Sequence, residues 1–175
     1  MAARGRAAGT DVLAERAALV DRYALGPSLL RAAFAAVPEA ARSFRSAPGR
    51  WSPRQVVGHC ADAEMIAAVR IRFVLAEEHP VLVGYDQDRW AERLPYEEQP
   101  PEVALAVVDA VCAHTAALLR RLPDAAWERE AAHSESGRTT AEDWLRAEAG
   151  HLAGHAGQIE RALAAWRAWS ERSSA

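Results

Sequence analysis

The stretch that most constrains this fold is 79–100, which holds Pro80, Gly84, Pro95 and Pro100 and separates two long runs of helical period. Connections this long are uncommon in compact domains unless they do something. This one can cross back over a helical bundle, so the helices it joins can run parallel. On its near side, Ser52-Pro53-Arg54-Gln55 reads as a helix start. Serine suits the N-cap, proline the first helical position, and glutamine the third residue of a capping box. Val56, His59, Ala63, Ile66 and Phe73 then share one face of a helix predicted to reach about Glu78. On the far side, Pro101-Glu102 opens a helix with a stripe of Ala104, Val108, Val111, Thr115, Leu118 and Leu122, stopped by Pro123.

Two outer helices complete the pattern. Thr10 or Asp11 can cap a first helix, with Leu13, Ala17, Val20 and Ala24 at helical spacing. Gly26-Pro27 is expected to break or kink it before a continuation to about Val37 and a loop over residues 38–50. Residues 1–9 are expected to be a disordered tail. A second long link, residues 124–138, has Trp127 as its apolar anchor. Thr139-Thr140-Ala141-Glu142 then offers a capping box for a last helix to about Trp169, with Leu145, Leu152, Ile159 and Leu163 as its core stripe. No repeat, and no strand pattern with turn chemistry, is visible. The reading is all-α, a single four-helix bundle over residues 10–170.

At 175 residues, 50% hydrophobic and 26% charged, the composition is that of one globular domain with a real core. A net charge of −3 without a basic run gives no footprint for nucleic acid. Residues 1–9 lack the apolar stretch of a signal peptide, and no run approaches the roughly 20 uninterrupted apolar residues of a spanning helix. Cys60 and Cys112 sit in apolar surroundings that suit free thiols in a reducing compartment, so the cytoplasm is expected.

The chemistry gathers on the last helix. His151 and His155 are four residues apart, which projects both rings from one face and lets them reach one metal ion. His59, set in the apolar stripe of the earlier helix, is the third candidate ligand. Three neutral imidazoles suit Ni²⁺, Zn²⁺ or Fe²⁺ and leave a position for water or substrate. Asp62, Glu148 and Gln158 are candidates to orient the ligand rings, and Glu148 is also a candidate fourth ligand. Gly150, Gly154 and Gly157 are odd inside a helix, each costing about 1 kcal/mol relative to alanine, and would let another group approach closely. His114, at the margin of its stripe, reads as a partly exposed histidine. Cys60 points about 100° away from His59 around its helix and is a poor partner for it.

Trp51-Ser52-Pro53-Arg54-Gln55-Val56-Val57-Gly58-His59-Cys60-Ala61-Asp62-Ala63-Glu64 resembles the central motif of the DinB/YfiT-like superfamily. His151-Leu152-Ala153-Gly154-His155-Ala156-Gly157-Gln158-Ile159 is similar to its C-terminal H-x-x-x-H motif, and the loop from Pro80 to Trp90 resembles that of one branch. The resemblance implies an up-down-down-up bundle, a metal site of His59, His151 and His155 holding nickel or zinc, and a homodimer. It implies transfer of a low-molecular-weight thiol (mycothiol, bacillithiol or glutathione) to a small electrophile. Metal-dependent hydrolysis, or a non-catalytic binding module, is the alternative. It does not imply DNA or membrane binding. Trp51, Tyr85 and Asp86 are the expected pocket walls. Ala156 stands where many relatives carry an acidic residue, which removes any role for a carboxylate there.

Overall fold

The start signal at Ser52 builds as its residues dictate. The Ser52 hydroxyl accepts the Gln55 N–H (3.2 Å) and the Gln55 side chain accepts the Ser52 N–H (3.1 Å), opening α2, Pro53–Ala76. The same hydroxyl donates to Glu97 in the crossover (2.6 Å), tying that connection to the helix end. Replacing Ser52 by alanine is expected to cost about 1 kcal/mol. Thermal denaturation should register this as a drop of about 2–4 °C for a chain of this size.

In this computed structural model, the structure describes the backbone of residues 2–173 and the side chains of residues 11–173. The other helices are α1, Ala2–Ala35; α3, Gln87–Arg93; α4, Pro101–Leu119; α5, Ala141–Glu148; and α6, His151–Ser173. The tail expected over residues 1–9 falls outside the residues whose side chains are described.

Contacts fix the directions of the helices. Arg31 pairs with Asp109 and Arg120 with Asp21 (2.9 Å), so α1 and α4 are antiparallel. Arg16 pairs with Glu142 (2.7 Å) and Gly26 lies against Leu152, so α1 runs parallel to α5 and α6. Glu64 meets Cys112 and Arg72 meets Thr115, each at 3.3 Å, so α2 and α4 run parallel. This is the up-down-down-up bundle, with the crossover carrying the chain back between its two parallel members.

Several expectations need correction. The two links carry a small sheet: β1, Val81–Leu82; β2, Glu130–His133; and β3, Gly137–Thr140. β1 pairs parallel with β2, and β2 antiparallel with β3. Strands of two and four residues show no alternation to read. They meet because α2 and α4 run parallel and deliver β1 and β2 to the same end of the bundle. Helix α1 runs through Gly26-Pro27 without ending. Gly26 serves helix packing instead, since a Cβ there would lie 2.9 Å from Leu152 Cβ. The last helix is divided at Ala149-Gly150, directly before His151. The buried stripe of α4 is Ala104, Leu105, Val108, Cys112, Thr115, Ala116 and Leu119: it keeps the expected Ala104, Val108 and Thr115 and takes in Cys112 and Leu119 in place of Val111 and Leu118. By length and composition α4 is also apolar enough to cross a membrane, although Glu102 and Asp109 interrupt its apolar run. Here it packs against α1 and α2. Phe73, expected in the core, is 45% exposed at the far end of α2.

Candidate metal centre

The site forms where the first half of α2 faces the start of α6. Gly58 determines part of it: a Cβ there would lie 2.6 Å from the ring of Tyr96, so only glycine lets the crossover's tyrosine lie flat on α2. From that seat the Tyr96 hydroxyl donates to Asp62 (2.5 Å). Asp62 therefore anchors the crossover rather than orienting His59, a correction to the sequence reading. Gly58→Val is expected to displace Tyr96 and to destabilise the fold by about 2–3 kcal/mol, the scale of overpacking a filled site. Urea denaturation would measure it.

One helical position on, His59 is 2% exposed. Its ring centroid lies 4.8 Å from that of His155 and 5.8 Å from that of His151, and the latter two are 4.6 Å apart. One nitrogen from each of the three rings lies within 4.8 Å of the others. On two of the rings the other nitrogen is committed. His151 Nδ1 donates to Glu64 Oε1 (3.1 Å) and His155 Nδ1 to Gln158 Oε1 (2.9 Å). A ring that gives its Nδ1 proton away presents a lone pair at Nε2. The Nε2 atoms of His151 and His155 lie 3.1 Å apart, so that with both rings neutral and their Nδ1 protons given away two lone pairs face each other. His59 Nε2 is buried with no hydrogen-bond partner. An unsatisfied buried group of this kind is costly, and a divalent cation among three imidazoles would satisfy it while taking the lone pairs of the other two rings. The donor set fits a metal ion.

Electrostatics keep two of these rings neutral. Burial, with the neighbouring histidines adding to it, holds His59 down at about 3 and His155 at about 4. For His151 burial also opposes charge, but the Glu64 hydrogen bond and the Glu148 and Glu64 charges outweigh it and raise its pKa. Groups with depressed pKa values stabilise the metal-free fold above the ordinary histidine pKa, near 6.5. That stability is lost as the pH falls towards their folded values. Glu148, pushed up to about 7 mainly by burial, works in the opposite sense. At about 1.4 kcal/mol per pH unit per group, two histidines against one carboxylate leave a net loss of the order of 2 kcal/mol between pH 6.5 and 5. Thermal denaturation of the chelated protein at the two pH values, beside His59→Gln, would show it; the variant should lose less.

The other candidates sort by their contacts. Gln158 Oε1 stands 2.9 Å from His155 Nδ1. Glu148 stands 3.8 Å from His151 Nδ1, behind Glu64. Trp51 forms a wall, its ring centroid 4.7 Å from that of His59 and its plane nearly parallel to that of His155 at 6.4 Å. Tyr85 packs on Trp90 (4.6 Å) with Arg70 over its ring. Asp86 caps α3 by accepting the Arg89 N–H (2.9 Å), so the loop offers Gln87 and Asp88 to the site's mouth in its place. His114 is exposed.

Glu64 is the residue that sequence reasoning missed. It is wholly buried and accepts from the Tyr23 hydroxyl (3.0 Å), the Cys112 thiol (3.3 Å) and His151. Its signal was a carboxylate one turn after Cys60 and one before Ala67 and Ala68, amid apolar positions. With Glu148 and His151 it makes a second group of donor atoms close enough to hold an ion.

Residues 22–159, which include all three histidines, match the model of the DinB superfamily. A protein of Oceanobacillus iheyensis named "Putative metal-dependent hydrolase" is 40% identical over 95 residues, 54% of each chain. "Putative metal-dependent hydrolase YfiT" of Bacillus subtilis is 34% identical over 88 residues, 50% of this chain and 49% of the relative. The chain thus spans about half the length of the curated relatives it matches. Among solved structures, YfiT from Bacillus subtilis, described as "a probable metal-dependent hydrolase with an unusual four-helix bundle topology", is 26% identical with a TM-score of 0.78, covering 84% of this chain and 85% of that one. A mycothiol-dependent maleylpyruvate isomerase shares the fold at 15% identity and a TM-score of 0.67, over 82% of this chain and 60% of that one.

Proposed function

The chain belongs to the DinB superfamily, and on that premise we propose that it is a divalent-metal-dependent enzyme joining a low-molecular-weight thiol to a small electrophile. The observation that carries this reading is the unpartnered, buried His59 Nε2 facing the paired Nε2 atoms of His151 and His155. These three residues would hold the ion, with nickel or zinc favoured by the donor type and iron also compatible. Such an ion, when bound, supplies Lewis acidity that brings the pKa of a thiol or water towards neutrality. Glu64 and Gln158 keep the Nδ1 protons of His151 and His155 and so hold both Nε2 atoms inward. Trp51 covers one side of the triad and limits its access to water.

The thiol, of the mycothiol, bacillithiol or glutathione kind, is supported by the family resemblance and by the name of the mycothiol-dependent neighbour. Water in its place gives the second reading, a hydrolase, supported by the names of the relatives. The two free, buried cysteines accord with a cytoplasmic setting. A small-molecule partner and a homodimer complete the proposal, with no role for nucleic acid or membrane.

The test uses untagged protein loaded with Ni²⁺ or Zn²⁺. Conjugation of glutathione to 1-chloro-2,4-dinitrobenzene is expected to accelerate, and to lose that acceleration on chelation and in His151→Ala. Metal-dependent release of p-nitrophenol from p-nitrophenyl acetate, without thiol, would select the hydrolytic reading. Metal bound with no turnover in either assay would overturn the enzymatic reading and leave a binding module.

A further inference from the structure

The mouth of the triad carries two cations that the fold does not use. One solvent-open cavity is lined by Ser46, Arg50, Trp51, Gln158, Arg161 and Ala162. An adjoining one shares Arg50, Trp51 and Gln158 and reaches His155. Neither the Arg50 nor the Arg161 guanidinium has an ion pair or hydrogen bond among the described residues. Arg16, Arg54, Arg120 and Arg146 are held by Glu142, Glu39, Asp21 and Glu15; Arg22, Arg93, Arg167 and Arg172 are also unpaired among the described residues, but they line neither of these cavities.

Both positions are built by the local backbone. Ala47-Pro48-Gly49-Arg50 closes a tight turn, with the Arg50 N–H on Ala47 O (3.1 Å) and Gly49 at φ +74°. Proline followed by a glycine at positive φ is the signature of a type II turn, and it delivers Arg50 to the rim directly before Trp51. On the other side, the Arg161 side chain folds back along α6 until Nη1 lies 3.3 Å from where a Gly157 Cβ would stand. Since the far end of an arginine can give way, none of the three helical glycines is required by a close approach, contrary to the sequence reading. The one carboxylate lining these cavities is Asp88, on the outer rim.

We propose that Arg50 and Arg161 receive an anionic group of the small substrate, a carboxylate or a phosphate, while its reacting end lies between Trp51 and His155. Guanidinium donors form a planar fork that matches oxyanions two hydrogen bonds at a time. Two of them beside an apolar ring and a metal-binding triad select a compact acid over a neutral molecule. The inference rests on the metal reading for the reacting end, whereas recognition of the anion does not.

The test is calorimetric titration of succinate and of inorganic phosphate into metal-free protein, and of succinate into the Zn²⁺-loaded form, with succinamide as the neutral control. Binding in the region of about 1 mM is expected for at least one anion. Arg50→Ala and Arg161→Ala should each weaken it at least about tenfold, roughly the loss of one charge-assisted contact, while Arg50→Lys should lose less. Whether succinate or phosphate binds more tightly identifies the head group. Equal affinity in the alanine variants, equal binding of succinamide, or no anion binding at all would overturn the proposal. Arginine-dependent anion binding in a protein that takes up no metal would leave it standing and remove the metal reading alone.

Discussion

His59→Ala and His151→Ala are each expected to weaken metal binding by more than about 100-fold, beyond the range that loss of a supporting residue gives. The two should differ in their effect on the metal-free protein. His59 is buried with an unpartnered Nε2, so its removal takes away an unsatisfied polar atom as well as packing, and these offset one another. His151 removal strands Glu64, which loses one of its three donors. Titration with Zn²⁺ against a competing chelator, beside thermal denaturation of the metal-free forms, separates the effects. Metal affinity within tenfold of the parent in either variant would remove that histidine from the site.

Glu64→Ala is expected to be strongly destabilising. It leaves the Tyr23 hydroxyl, the Cys112 thiol and the His151 Nδ1–H without their acceptor inside the bundle. It also opens a cavity at a fully buried position. Unpaired buried donors and a cavity together amount to about 3–5 kcal/mol, or about 10 °C in melting temperature. Glu64→Gln keeps the volume and one acceptor oxygen and should fold. Its metal affinity should fall by about 10–100-fold, as for other ring-orienting partners. A Glu64→Gln protein with parental affinity would make this carboxylate a packing element only.

How much of this was legible in the sequence follows from the range of each interaction. The His151–His155 pair and the capping box at Ser52 are local patterns, fixed by helical geometry, and could be read directly. The long crossover allowed α2 and α4 to run parallel, and the family resemblance supplied the up-down-down-up order. His59 was found in the apolar stripe of α2, but its distance to the other two rings depends on how α2 packs against α6. Glu64 was passed over for a physical reason: a lone charged residue on a helix is usually solvated, and only the donors on α1, α4 and α6 make its burial tolerable. Asp62 misled in the opposite way, since helical spacing put it beside His59 while Tyr96, over thirty positions away, takes its carboxylate. The strands β1 and β2 are strands only because two parallel helices bring them together.

Elemental analysis of untagged protein, purified and then exposed to Ni²⁺ or Zn²⁺ and freed of excess, tests the central claim most directly. Close to one ion per chain is expected, as a three-histidine site would hold, and close to none in His59→Ala or His151→Ala. A parent chain that retains no metal after such loading, while folded and helical, would contradict the account and return the three histidines to the packing of the bundle.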